Sequence, residues 1–186
     1  MGLATPVIAY VGRLTEPKGC EVMLQLLQRL DPTEQWSFLA MGSGPYERRF
    51  EKLGKELGIS DRVKVMLLNH DEVADVLPAC DILIYPSQTT RNWREQFGRM
   101  TIEAFASGVA VIGSSSGEIP YIVGDAGIVV QEDDVDQWVE SVEGLLRDED
   151  KRSELAARGL QRVRSYTAEG VSSGYKTFYT WLHEKG

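Results

Sequence analysis

The stretch "REQFGRMTIEAFASG", Arg94 to Gly108, holds two glutamates, Glu95 and Glu103, eight positions apart with Phe97-Gly98 between them. Eight steps of about 100° leave two side chains about 80° out of line on one continuous helix. The pair therefore predicts a loop up to Gly98 and a helix beyond it, with both carboxylates beside the helix N-terminus. Such a terminus attracts anions. A carboxylate next to a bound phosphate is repulsive, so the glutamates suit another partner: a pair of hydroxyls, as on a ribose or a hexose. Two cations supply the anion-binding half of this chemistry. In "GRLTEPKG", Gly12 precedes Arg13, a planar fork of donors, and Lys18, a point charge five positions later. Phosphates on Arg13, Lys18 and the helix start at Gly98, with a sugar held by each glutamate, describe a nucleoside diphosphate sugar. Blander readings stand beside this one. Arg13 and Lys18 also suit a capped turn with solvated charges, Glu95 a surface charge, and Glu103 the i,i+4 partner of Arg99.

The elements that must position these residues are legible as short apolar runs alternating with helical patterns. "VIAYV", "WSFLAM", "VKVMLL", "ILIYP", "VAVIG" and "GIVV" read as strands. Helices are expected over 20–30, 45–57, 71–79 (opened by an Asp cap), 100–107, and then over 135–147, 151–166 and 168–183, with a short turn at "EIPYIV". Runs buried on both faces, separated by helices, predict an α/β fold: a Rossmann-like, doubly wound parallel sheet flanked by helices, with a helical C-terminal tail. In such a sheet ligands bind outside the carboxyl ends of the strands. The loops "GRLTEPKG", "GSGP", "SQTTRNWREQFG" and "GSSSGEIP" all fall on that rim. The third runs from Ser87 to Gly98, long for a βα connection, and loops of that length commonly bind something or move.

Bulk properties exclude several classes. The chain has 186 residues, 42% of them hydrophobic, which suits one domain over 1–186 with a full core. A formal charge of -8 argues against a nucleic-acid surface. No apolar run reaches the ~18–20 residues of a membrane span. Cys20 and Cys80 form no CxxC and read as buried free thiols of a reducing compartment, hence a cytoplasmic location. "GSGPYE" lacks the third glycine of a dinucleotide fingerprint, and there is no GxxxxGK(S/T). The DxD matches at Asp134-Val135-Asp136 and Asp148-Glu149-Asp150 sit at helix starts, where they serve better as caps than as metal ligands. No metal site is expected.

Taken together, "VGRLTEPKG", "GSGP", "DILIYPS", "EQFGRMTIEAFASGVAVIGSSSGEIP" and "VGDAGIVV" resemble, in order, the C-terminal half of retaining glycosyltransferases of family 4, which have the GT-B fold. The two glutamates resemble that family's E-x7-E motif. The resemblance implies that Arg13 and Lys18 contact the donor diphosphate and stabilise the leaving group, that Glu95 contacts the transferred sugar, and that Glu103 holds the ribose hydroxyls. Gly12, Phe97, Gly98 and Arg99 match donor-binding positions, with no metal or other cofactor required. Gln96 stands where many members have Gly, and Tyr121 where a Glu is common. Arg91 and Arg94 lie in a loop longer and more basic than the family minimum, as donor or acceptor contacts or as solvated charges.

The resemblance further implies one half of a two-domain enzyme. The N-terminal acceptor domain would be absent from this chain, would carry the family's active-site histidine, and would bring any peripheral membrane contact. His70 and His183 then read as ordinary surface or loop residues. A non-catalytic nucleotide-sugar module, or a sugar-nucleotide epimerase half, is the alternative on the same fold. The last helix carries Tyr175, Phe178, Tyr179 and Leu182 at i, i+3, i+4 and i+7, a stripe that needs a covering surface, in its own domain or in another copy of the chain.

Overall fold

The structure, a computed structural model, describes residues 2–185. Six strands alternate with helices: β1 (Val7–Val11), β2 (Ser37–Met41), β3 (Val63–Met66), β4 (Ile82–Tyr85), β5 (Ala110–Ser114) and β6 (Ile128–Val130). They form one sheet of order β3-β2-β1-β4-β5-β6, and every adjacent pair is parallel. The order reverses direction between β1 and β4, so the crevice of the sheet opens at the carboxyl ends of these two strands.

Strand alternation sends successive side chains to opposite layers. Ile8 and Tyr10 of β1 join Phe38, Ile82 and Ile112 on one face, covered by α1 (Cys20–Arg29), α2 (Glu47–Glu56) and the Trp138 side of α6 (Val135–Arg147). Val7, Ala9 and Val11 join Leu39, Leu83 and Val111 on the other. That second face is covered by α3 (His70–Val76), α4 (Arg99–Ala106) and α5 (Ile119–Val123), which contribute Val73, Phe105, Ile119 and Val123 among others, while α7 (Glu149–Arg162) packs against α4 and β5. Continuous burial of β1, β2, β4 and β5 explains why these strands read as unbroken apolar runs.

Three local expectations are corrected. Helix α3 is opened by Asn69, whose side chain accepts from the Glu72 amide while Glu72 returns to the Asn69 amide; Asp71 is a first-turn residue and caps nothing. Helix α7 begins at Glu149, ahead of the expected Lys151, because Asp148 caps it by accepting from the Lys151 amide. The turn at 163–166 is a separate 3-10 segment. Asp134 likewise caps α6 on the Gln137 amide, so both DxD matches begin with an N-cap. Cys20 and Cys80 are buried and unpaired with each other.

The C-terminal helix α8 (Ala168–Lys185) buries none of its residues, and Tyr175, Phe178, Tyr179 and Leu182 are exposed. Its aromatic side chains instead stack along their own helix, Tyr175 on Tyr179 and Phe178 on Trp181. Packing of the stripe on its own domain is therefore not what the fold uses.

Candidate functional site

Gly12 follows β1, and its amide donates to Met41 O at 3.0 Å, tying the first rim loop to the end of β2. Buried Tyr10 donates its hydroxyl to the Arg13 carbonyl at 2.8 Å, which fixes the backbone under Arg13. The Arg13 side chain is exposed and has no ion-pair partner among the described residues. Lys18 ends a 3-10 turn, Glu16–Lys18, immediately before α1.

The fourth rim loop is bound to the third. Gly117 has φ 56°, and a Cβ there would lie 1.8 Å from the Glu95 carbonyl oxygen. That carbonyl accepts from the Glu118 amide at 3.1 Å. Only a glycine permits both the left-handed backbone and the contact. Gly98, with φ 68°, is the N-cap residue of α4 and packs above the Tyr85 ring, so the helix starts abruptly beyond the loop. Glu95 thus lies outside the helix and Glu103 within it, as their 80° mismatch anticipated.

Glu95 is held by three side chains of the rim. Lys18 Nζ donates to its Oε2 at 2.6 Å, Tyr85 Oη at 2.8 Å and Ser87 Oγ at 3.2 Å. All three act on one oxygen, and Oε1 has no partner among the described residues. Lys18 and Glu95 are only 16% and 12% exposed, so neither is the solvated surface charge of the bland reading. Lys18 also lies over the rings of Trp93 at 4.6 Å and Tyr85 at 5.7 Å. Glu103, 24% exposed, forms an ion pair with Arg99, Nε to Oε1 at 3.3 Å. This i,i+4 pair is the alternative raised by the spacing, yet Glu103 and Arg99 also line a cleft of about 310 Å³ with Gly12, Arg13, Gly42, Leu67 and His70. Phe97 turns away and meets Tyr166 edge-on at 6.2 Å between ring centroids.

Burial pushes the Glu95 carboxyl up, but the hydrogen bonds from Lys18 and Tyr85 and the Lys18 charge outweigh it and hold it below the usual carboxylate range. A carboxyl lowered in this way adds stability above its unfolded pKa and loses it as pH falls through the folded value. The acid limb of a stability–pH curve should therefore flatten in Glu95→Gln. Tyr85→Phe should cost about 1.5 kcal/mol at neutral pH, the low end for a bond to a charged group, because Lys18 and Ser87 remain. Denaturant midpoints measured from pH 7 down to 3 check both, and a wild-type-like acid limb in Glu95→Gln would remove Glu95 from the account. Burial likewise pushes the Tyr85 hydroxyl well above its ordinary value, so it stays a donor to Glu95 across that range.

Sequence reading missed four contributors. Tyr85 and Ser87 hold Glu95, His70 opens α3 on the wall of the cleft, and Thr101 buries a hydroxyl without a partner among the described residues in the first turn of α4. "YPSQ" before the loop and "NHDE" as a capping box were the available signals. Gln96 and Tyr121 are exposed, and Tyr121 places its carbonyl on Arg162. His183 is exposed on α8. Among the described residues no three His, Cys, Asp or Glu side chains gather to hold a metal ion, and no helix is long and apolar enough to cross a membrane.

A parallel sheet reversing at β1 and β4, with glycine-bearing loops, an unpaired arginine and two glutamates on its carboxyl rim, defines a Rossmann-like half of a GT-B fold. Residues 3–162 match the family Glycosyl transferases group 1, and the chain belongs to it. It is 30% identical over 189 residues to the D-inositol 3-phosphate glycosyltransferase of Corynebacterium diphtheriae, an alignment covering 95% of this chain and 43% of the relative. The chain therefore spans less than half the length of that curated relative. Among solved structures it is similar to sucrose-phosphate synthase from Thermosynechococcus elongatus, with TM-score 0.77, 26% identity, and 97% and 46% of the two chains covered. Anabaena HepE, solved in complex with UDP, shares the fold at TM-score 0.78 and 19% identity, over 96% and 49% of the chains.

Proposed function

We propose that this chain is the donor-nucleotide-binding half of a retaining, metal-independent glycosyltransferase of family 4, which transfers a hexose from a nucleoside diphosphate sugar to an acceptor held by another domain. The observation that carries this is the meeting of Lys18 and Glu95 at the β1–β4 crevice, on the same rim as a cleft lined by Arg13 and Glu103 though not by that pair. In this reading Arg13 and Lys18 receive the diphosphate and stabilise the charge of the leaving group. Gly98 and the first turn of α4 approach the phosphates through their amides. Glu103 accepts from the ribose hydroxyls, with Arg99 orienting it. Glu95 presents Oε1 to a hydroxyl of the sugar, since its other oxygen is filled by Lys18, Tyr85 and Ser87. Phe97 serves by its backbone, its ring being engaged elsewhere. The apolar side of the cleft, Leu67 and Val73 beside His70, suits the base.

Calorimetric titration with UDP, GDP and ADP, without added metal, tests the reading. One nucleotide should bind, and Arg13→Ala or Lys18→Ala should weaken it by about 1.5–3 kcal/mol, the range for hydrogen bonds to charged groups. The free nucleoside should lose far less. Equal losses for nucleotide and nucleoside would sink the phosphate assignment.

The exposed stripe on α8 belongs to the same proposal. Tyr175, Phe178 and Leu182 form the surface through which isolated copies self-associate when no other domain covers it. Light scattering across a concentration series should show a species larger than the monomer that Tyr175→Glu disperses; a monomer throughout would count against it.

A further inference from the structure

The loop between β4 and α4 carries a second concavity that the donor site does not use. Thr90 and Trp93 exchange backbone hydrogen bonds at 2.7 and 3.4 Å, closing a tight hairpin with Arg91-Asn92 at its tip. The hairpin is pinned on both sides. Before it, the Gln88 amide donates to Pro17 O at 2.9 Å and the Thr89 amide to the Glu132 carboxylate. After it, Glu95 is held as described above, and the Trp93 ring rests on Lys18. The loop itself encloses a concavity of about 320 Å³, lined by Thr89, Thr90, Arg91, Asn92, Trp93, Arg94 and Gln96. This lies at the small end of the ~300–1,000 Å³ typical of small-molecule sites.

Its charge is unusual for this protein. The chain carries -8 overall, yet this lining holds two guanidiniums and no carboxylate. Neither Arg91 nor Arg94 has a hydrogen bond or ion pair among the described residues. Two carboxylates of or bound to this loop have other partners: Glu132 accepts from the Thr89 amide, and Glu95, through Oε2, from Lys18. Two unpaired planar forks, Arg91 at the hairpin tip and Arg94 directly before the glutamate assigned to the sugar, suit a phosphate or carboxylate.

We infer that Arg91 and Arg94 form an anion subsite beside the transferred sugar, which selects a substrate bearing a phosphate or carboxylate group. The naming of a substrate rests on the donor-site reading; the binding of an anion does not. The charged group belongs either to the acceptor or to the donor sugar, and two arms separate these sources. In the acceptor arm, glucose 6-phosphate and glucose are titrated into the chain, with and without saturating UDP. In the donor arm, UDP-glucuronic acid is compared with UDP-glucose. The charged member of one pair should bind about tenfold more tightly than the neutral member, an advantage that falls with salt. Arg91→Ala/Arg94→Ala should erase it, Arg91→Lys/Arg94→Lys should retain part of it, and UDP affinity should stay within about twofold. The same charged-to-neutral ratio in wild type and the alanine variant, in both arms, overturns the inference. Failure of UDP to bind any chain overturns the donor site instead, and the glucose 6-phosphate arm without nucleotide still decides the anion subsite.

Discussion

Gly117→Val is expected to destabilise the fold by about 2–5 kcal/mol, summing left-handed strain of about 1–2 with overpacking of about 1–3, and to abolish any preference for a sugar nucleotide over its bare diphosphate. The position has φ 56°, and its absent Cβ would lie 1.8 Å from the Glu95 carbonyl oxygen. A side chain must therefore push the Glu95 backbone away from the α5 end of the rim and break the bond from the Glu118 amide. The Glu95 carboxylate would move with it, while Arg13 on the far side of the crevice would stay. Denaturant unfolding gives the stability, and paired titrations with UDP and UDP-glucose give the ratio of affinities. A wild-type midpoint with an unchanged ratio would show that the rim loops tolerate separation and that Glu95 does not depend on them.

The second large effect lies behind the site. Phe105 is fully buried on α4, and a Cβ at Gly159 of α7 would meet its ring at 2.5 Å. The helices approach closely only because one residue is large and the other has no side chain. Phe105→Ala should cost about 3–5 kcal/mol, the range for deleting a core aromatic. It should also loosen α4, whose first turn and Glu103 face the cleft. A loss below about 1 kcal/mol would mean that α7 collapses onto α4 and refills the space. The substitution Leu57→Ala, at an exposed side chain, is the matching control and should stay within about 0.5 kcal/mol of wild type.

Much of this was readable before any coordinates. Strands buried on both faces announce themselves as apolar runs, and a parallel sheet fixes which loops share a rim, so Arg13, Lys18, Glu95 and Glu103 could be grouped from order alone. Local chemistry was read less well at α3, where Asn69 and Glu72 form the cap and the adjacent Asp71 drew attention instead. What stayed hidden was pairwise. No periodicity links Lys18 to Glu95, which meet across 77 positions, or shows Tyr85 and Ser87 converging on the same oxygen. The stripe on α8 was visible in the sequence, but whether its own domain would cover it depends on where the chain runs after Tyr166.

The β1–β4 seam has a kinetic consequence. Val7 and Asp81 are hydrogen-bonded across it at 2.6 Å although 74 positions separate them. Every other neighbour in the sheet is also the next or previous strand in the chain. The first three strands can assemble from nearby segments, whereas this seam needs a long loop of chain to close before it gains anything. Lys18 lies on one side of that closure and Glu95 on the other. Recovery of nucleotide binding during refolding should therefore trail the recovery of helical signal, and a chain cut before β4 would leave β1 as an open edge with half a rim.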